Sequence, residues 1–114
     1  NNRFQVLADC ETGDEAILKS KELKPDILIV DINMSPTNGF EVTKQVVAES
    51  PSVKIIGLSV NNQPTYAIRM LELGGKGYFT KTSSLEEITK GIIEVYNGKE
   101  YICEEVRNLM PTKK

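Results

Sequence analysis

A carboxylate, a hydroxyl and an ammonium group occupy the same position in three successive short apolar segments, at the carboxyl end of each. These residues are Asp31, Ser59 and Lys81. If the segments are neighbouring parallel strands, their carboxyl ends meet at one edge of the sheet, where ligands bind in open α/β sheets. A carboxylate nucleophile beside a hydroxyl and a cation is suited to forming an aspartyl-phosphate. The carboxylate attacks phosphorus while the other two groups neutralise the transferred oxygens.

Each of the three residues also has an ordinary structural explanation. Asp31 could cap the loop that follows it, Ser59 could cap a turn, and Lys81 could be a solvated surface charge. A carboxylate at a strand end is costly to desolvate without a cationic partner, and Lys81 would supply one. The coincidence of the three groups on consecutive segments therefore favours a shared site.

The apolar segments and the stretches between them predict alternating strands and helices. Short, mostly β-branched runs suit strands that are buried on both faces, and the longer stretches carry helix caps and apolar residues at helical spacing. We expect strands near residues 4–8, 27–31, 53–59 and 76–81, and helices over residues 13–24, 39–50, 64–73 and 85–96. The last helix is expected to bury Leu85, Ile88, Ile92 and Val95. This alternation is typical of βαβ crossovers and a parallel sheet.

Composition narrows the function further. A chain of 114 residues suits one domain, expected over residues 1–98, with residues 99–114 as a tail, the start of a linker or a short extra helix. The sequence contains no His, which excludes Ser-His, Cys-His and His-metal chemistry for this chain. A net charge of −2 offers no electrostatic basis for binding nucleic acid.

Cys10 and Cys103 lack metal-type spacing and are expected to be reduced thiols, with a disulfide as the less favoured alternative. No run suits a membrane span or a signal peptide, so we expect a cytoplasmic protein.

Several motifs in a fixed order resemble the receiver domain of two-component response regulators, closest to the NarL/LuxR type. The resemblance runs from about residue 4 to residue 102, and its motifs are Lys24-Pro25-Asp26, Asp31-Ile32-Asn33-Met34, Asn38-Gly39, Gly57-Leu58-Ser59 and Lys76-Gly77-Tyr78 through Lys81. It implies an α/β, flavodoxin-like (CheY-like) doubly wound parallel sheet. It also implies a phosphorylatable switch in a phosphorelay rather than an enzyme.

The resemblance assigns a role to each matching residue. Asp31 matches the phosphoacceptor that is modified by a histidine kinase or a phosphotransfer protein, and Lys81 matches the phosphate-binding lysine. Ser59 matches the switch hydroxyl, and Tyr78 matches the aromatic residue that turns inward when that hydroxyl moves. The ordinary structural explanation for Tyr78 is a half-buried strand aromatic with a solvated hydroxyl, and it is compatible with the switch role.

The resemblance also implies a metal and partners. Asp31 and the backbone carbonyl of Asn33 match ligands of Mg²⁺, and the side chains of Asn33 and Asn61 match positions that tune dephosphorylation. The helix over residues 64–73, the last strand and the last helix would carry the output. Homodimerisation and control of transcription would follow, with DNA contacted only through a downstream effector domain that these residues do not include.

The sequence departs from the family pattern at its beginning. The first strand of a receiver ends in an acidic pair that holds Mg²⁺, but no such pair precedes Thr12, and Asp9 follows what matches the second strand. In the flavodoxin-like order the missing strand is central. An N-terminal segment could precede the sequence, the remaining strands could repack, or association could fill the gap. Thr82 follows Lys81 where many receivers have Pro, and Val60 is bulkier than the residue frequent after the switch hydroxyl.

Two other functions fit part of this pattern. A haloacid-dehalogenase-like phosphatase also uses a strand-end Asp, but it needs a second Asp two residues later, where this chain has Asn33. It also needs late acidic metal ligands, and Glu86 and Glu87 are explained by helix capping. A pseudo-receiver, which keeps the fold as an interaction domain without phosphorylation, is the second alternative because the acidic pair is absent from the sequence.

Overall fold

The computed structural model describes residues 12–33 and 38–110. Within them, four parallel strands form one sheet in chain order. The strands are β1 (Ile27–Asp31), β2 (Lys54–Ser59), β3 (Gly77–Thr80) and β4 (Tyr101–Ile102). The helices are α1 (Gly13–Leu23), α2 (Gly39–Glu49), α3 (Pro64–Glu72), α4 (Leu85–Tyr96) and α5 (Glu104–Arg107). The predicted α/β class with a parallel sheet is confirmed, while the strand predicted near residues 4–8 lies outside the described residues.

The register of the sheet brings the polar strand ends to one edge. Asp31 is paired with Leu58, and Ser59 is paired with Thr80, the last residue of β3. One residue further along, the Lys81 backbone N–H donates to the Ser59 carbonyl at 2.8 Å. Since all these strands run in the same direction, their last residues are neighbours, as the sequence predicts.

The predicted helix caps are present. The side chains of Thr12, Asn38 and Ser84 each accept a hydrogen bond from the backbone N–H three residues later, at 3.1, 3.0 and 3.0 Å. Pro64 occupies the first turn of α3, where its missing N–H costs nothing. α1 ends before Pro25, with Lys24 in the left-handed region at a φ of 47°. These local signals fix where the helices begin and end.

The core lies between the sheet and the helices that pack on it. Its fully buried members include Val30, Val42, Val46, Ile55, Ile56, Ala67, Met70, Tyr78, Phe79 and Val95. One prediction is wrong: Leu85 is 80% exposed instead of buried. Leu85 is the first residue of α4 and directly follows the Ser84 cap. In the chain it comes after the end of β3, whose last paired residue is Thr80. Ile88 and Ile92 pack against the core as expected.

The segment that follows α4 continues the sheet. Tyr101 and Ile102 of β4 are paired with Gly77 and Tyr78, and the Cys103 N–H donates to the Tyr78 carbonyl at 3.0 Å. Of the alternatives for residues 99–114, a short extra helix is present as α5, whereas β4 was not predicted from the sequence. Cys103 is a free, fully buried thiol, and Cys10 lies outside the described residues. The domain boundary at residue 98 stays a prediction.

No helix in the described ranges combines the length and the apolar character needed to cross a bilayer.

Candidate phosphoacceptor site

Asp31 ends β1 with its carboxylate held by two donors. Asp31 Oδ2 accepts a hydrogen bond from Lys81 Nζ at 2.8 Å, and Oδ1 accepts one from the Asn33 backbone N–H at 2.9 Å. The two side chains of the ion pair keep 38% (Asp31) and 41% (Lys81) of their surface exposed. The carboxylate is therefore oriented and paired with a cation, yet it remains accessible from solvent.

The surroundings of Asp31 favour its ionised form. Partial burial acts to raise the pKa of the Asp31 carboxyl. The hydrogen bonds from Lys81 and from the Asn33 backbone, together with the Lys81 charge, outweigh burial and lower the pKa below its usual value. Because nucleophilic attack on phosphorus requires the carboxylate, Asp31 is in the reactive form at neutral pH.

Ser59 is connected to Asp31 through Asn33. The fully buried Ser59 hydroxyl donates to Asn33 Oδ1 at 3.0 Å and accepts a hydrogen bond from the Asn61 backbone N–H at 3.0 Å. The Asn33 backbone N–H in turn donates to Asp31. The hydroxyl is therefore held near the carboxylate by partners that are themselves exposed or partly exposed.

Tyr78 lies beneath the same network. Its side chain is fully buried, and its hydroxyl donates to the Asn61 carbonyl at 2.6 Å. Desolvation raises the pKa of the Tyr78 hydroxyl. The alternative of a half-buried ring with a solvated hydroxyl is therefore wrong, because the backbone of the loop after Ser59 supplies the hydrogen-bond partner.

All six residues predicted from the sequence thus form one connected set. Hydrogen bonds join them in the order Lys81, Asp31, Asn33, Ser59, Asn61 and Tyr78. Asn61 is central, because its N–H binds the Ser59 hydroxyl and its carbonyl binds the Tyr78 hydroxyl. A continuous series of hydrogen bonds therefore connects the carboxylate with a buried aromatic residue.

Sequence reasoning missed the residues around Lys81 and their partner on α5. Glu105 Oε1 accepts hydrogen bonds from Thr80 Oγ1 at 2.8 Å and from Thr82 Oγ1 at 2.9 Å, and Glu105 Oε2 accepts one from Asn62 Nδ2 at 2.9 Å. Thr80 and Thr82 flank the predicted Lys81, and their position beside a site residue could have marked them in the sequence. Glu105 lies in the segment interpreted as a tail, where no pattern marked it.

A divalent cation has few ligands among the described residues. They contain no group of three acidic, Cys or His side chains that could hold a metal ion, and both oxygens of Asp31 already accept hydrogen bonds. Asp31 and the Asn33 carbonyl form an incomplete shell for Mg²⁺, which is usually held in near-octahedral oxygen geometry. The residues present do not by themselves fit a Mg²⁺ site.

Comparison with known proteins decides the family. The model of the response regulator receiver domain matches residues 1–93. The chain belongs to this receiver domain family. The family consists of signalling switches rather than classical enzymes, and membership leaves the phosphatase alternative without support.

Curated relatives of this receiver domain include response regulators and transcriptional regulatory proteins. Response regulator GacA of Pseudomonas viridiflava is 30% identical over 110 residues, which cover 96% of this chain and 51% of that protein. Transcriptional regulatory protein LnrK of Bacillus subtilis strain 168 is 39% identical over 95 residues, which cover 83% of this chain and 43% of that protein. The receiver domain spans about half the length of these relatives.

Solved structures share the fold of this receiver domain. The isolated REC domain of RcsB from Salmonella enterica serovar Typhimurium, determined with the phosphomimetic BeF3-, aligns with a TM-score of 0.82 at 25% identity. The alignment covers 94% of this chain and 80% of that one. A LuxR-family two-component response regulator from Aurantimonas sp. SI85-9A1 aligns with a TM-score of 0.86 at 23% identity, over 90% and 74% of the two chains, and supports the fold alone. The predicted receiver-type architecture is confirmed.

Proposed function

We propose that Asp31 accepts a phosphoryl group from a histidine kinase or a phosphotransfer protein, and that this modification switches the conformation of the domain. The observation that carries the proposal is the 2.8 Å contact between Lys81 Nζ and Asp31 Oδ2 at an accessible sheet edge. It combines an ionised nucleophile with a cation that can neutralise the negative charge on the oxygens of the transferred phosphoryl group.

The transfer is a substitution at phosphorus. One Asp31 oxygen forms the new bond to phosphorus while the bond from phosphorus to the donor's histidine nitrogen breaks. The electron pair leaves with that nitrogen, which then takes up a proton. Lys81 neutralises charge on the transferred oxygens, and the Ser59 hydroxyl becomes a second donor once it leaves Asn33.

The switch follows from the added charge. A phosphoryl group brings about −1.5 to −2 charges at neutral pH, assuming ionisation like that of other phosphorylated side chains. That charge attracts the Ser59 hydroxyl, which shares the Asn61 backbone with the Tyr78 hydroxyl. Moving Ser59 therefore changes the contact that holds Tyr78. Two conformations that differ by a few kcal/mol would be redistributed in this way.

The remaining functional assignments rest on the family. The side chains of Asn33 and Asn61 would tune the lifetime of the phosphoryl group on Asp31. Asp31 and the Asn33 carbonyl would contribute to Mg²⁺ binding. The domain would act in the cytoplasm. We derive no step through the metal, because the described residues offer it an incomplete shell. The name of the relative LnrK, a transcriptional regulatory protein, supports control of transcription. A solved structure of two RcsB dimers bound to two parallel DNAs, 26% identical to this chain, supports a homodimer and DNA contact through a further domain.

Phosphorylation with a small donor tests the proposal. We expect the chain, incubated with an acyl phosphate and Mg²⁺, to gain one phosphoryl group, measured by intact mass and mapped to Asp31. Parallel incubation with a chelator measures the dependence on Mg²⁺. A label on another residue, or no label where other receivers react, would contradict the assignment.

A Lys81→Ala variant should be phosphorylated about 100-fold more slowly, because an electrostatic donor to the transferred oxygens is lost. The measurement is the initial rate of Asp31 labelling. Lys76→Ala is the matched control, since Lys76 is an exposed lysine just before β3, at the opposite end of that strand. Equal rates for the two variants would remove Lys81 from the site.

One observation favours a second function. The incomplete metal shell within the described residues is what a pseudo-receiver, an interaction domain without phosphorylation, would show. Complete absence of label from the chain under all donor and Mg²⁺ conditions would favour this alternative.

A further inference from the structure

Glu105 connects three points of the acceptor edge to the C-terminal segment, which we define as residues 101–110. Its carboxylate is exposed on α5 and accepts hydrogen bonds from Thr80, Thr82 and Asn62. These bonds lower the pKa of the Glu105 carboxyl, with Asn62 as the largest cause. The carboxylate is therefore ionised when it makes the contacts.

The three donors lie at the end of β3 and in the loops that follow β2 and β3, which carry the proposed switch. Thr80 and Thr82 are the immediate neighbours of Lys81 in the chain, and Asn62 follows Asn61 directly. Lys81 holds the Asp31 carboxylate, and Asn61 holds the Ser59 and Tyr78 hydroxyls. One carboxylate thus binds both loops at positions adjacent to the residues that contact the acceptor site.

The C-terminal segment packs against the rest of the domain through further contacts that do not involve Glu105. Cys103 and Val106 are fully buried, and the centroids of the Tyr101 and Phe79 rings are 5.7 Å apart. Glu87 of α4 accepts hydrogen bonds from the Tyr101 hydroxyl at 3.0 Å and from the Glu104 N–H at 2.6 Å. The segment is therefore a packed element, and Glu105 is its link to the acceptor edge.

We propose that Glu105 is a positioning residue that couples the acceptor site to the seating of the C-terminal segment, so that phosphorylation of Asp31 loosens this segment. This inference rests on the proposed function. A chain that continued beyond the segment would receive the change first at α5.

The direction follows from geometry and charge. A phosphoryl group on Asp31 moves the oxygens that Lys81 contacts and attracts the Ser59 hydroxyl away from Asn33, so the segments that carry Lys81 and Ser59 shift. Since Glu105 binds both loops, it cannot follow both shifts without losing hydrogen bonds or moving α5. The phosphoryl group also adds negative charge next to Lys81, which lies between the two threonines that bind the Glu105 carboxylate. Two anions on either side of this short stretch repel each other, which weakens the Glu105 contacts.

Cys103 offers a direct readout of the segment, because a fully buried thiol reacts only when the surrounding structure opens. The full chain would be treated with a thiol reagent before and after incubation with an acyl phosphate, and labelling of the Cys103 peptide followed by mass spectrometry. Mapping the peptide separates Cys103 from Cys10. Glu105→Gln removes the charge and leaves an amide nitrogen that cannot accept a hydrogen bond. Glu104→Gln, its exposed neighbour on α5, makes the same charge change.

We expect phosphorylation to speed Cys103 labelling of the wild-type chain by about 5-fold or more, the lower range of typical coupling between sites. Glu105→Gln should label at the faster rate even when unmodified, and phosphorylation should then change its rate little. Glu104→Gln should match the wild type in both states. A second variant, Thr82→Val, should show the Glu105→Gln behaviour in part, because it removes one of the three donors.

Several outcomes would overturn the inference. Wild-type labelling that is unaffected by phosphorylation would show that the sites are not coupled. Glu105→Gln with a wild-type response would show that Glu105 does not carry the coupling. Failure of the wild type to accept a phosphoryl group would overturn the proposed function and with it the trigger. Labelling of the unmodified variants would then show separately whether Glu105 seats the segment.

Discussion

We expect the Asp31→Asn variant to gain no phosphoryl group under conditions in which the wild-type chain gains one. The amide lacks the anionic oxygen that attacks phosphorus, and it no longer forms an ion pair with Lys81. The substitution keeps the size of the side chain, and an amide oxygen can still accept the hydrogen bond from the Asn33 N–H. The loss should therefore be chemical, with the fold retained. Intact mass and peptide mapping measure it.

Asp26→Asn is the matched control for this variant. Asp26 is an exposed aspartate just before β1, at the end of the strand opposite Asp31. Asp26→Asn should be phosphorylated like the wild type. A phosphoryl group on Asp31→Asn, at any residue and in an amount equal to the wild type, would show that the acceptor lies elsewhere.

The strands and helices that position the site could be predicted from local patterns. Short apolar runs near Pro or Gly residues marked β1, β2 and β3, and the capping residues Thr12, Asn38 and Ser84 marked helix starts. These signals depend on short-range interactions that a sequence displays directly. The shared edge of Asp31, Ser59 and Lys81 then followed from the parallel direction of the strands alone.

The parts that escaped prediction depend on contacts between distant segments. β4 is two residues long and is defined by its pairing with Gly77 and Tyr78, so its own sequence carries almost no strand signal. The Glu105 contacts join residues 23 to 43 positions apart. Leu85 fits the apolar stripe of α4 by spacing, but its place at the helix start leaves it exposed. Helical periodicity shows on which face of the helix a residue lies. It does not show how far the sheet extends under that face.

Gly91 is a position at which a single added methyl group should destabilise the domain. A Cβ at Gly91 would lie 2.2 Å from Phe79 Cζ and 2.8 Å from Tyr101 Cδ2. Phe79 is 1% exposed and its ring packs against the Tyr101 ring, so it has little room to move away. The absence of a side chain at Gly91 therefore sets how closely α4 approaches β3 and β4.

We expect Gly91→Ala to lower the free energy of unfolding by about 2 kcal/mol. Overpacking should cost about 3 kcal/mol, which exceeds the gain of about 1 kcal/mol that Ala brings to a helix interior over Gly. Urea unfolding measures the change, and Lys90→Ala, its exposed neighbour on α4, should stay within about 0.5 kcal/mol of the wild type. Because the displaced Tyr101 belongs to β4, Gly91→Ala should also speed Cys103 labelling in the unmodified chain. A Gly91→Ala variant as stable as the wild type would mean that α4 can move off the sheet freely, and the close packing that seats the C-terminal segment would then not hold it in place.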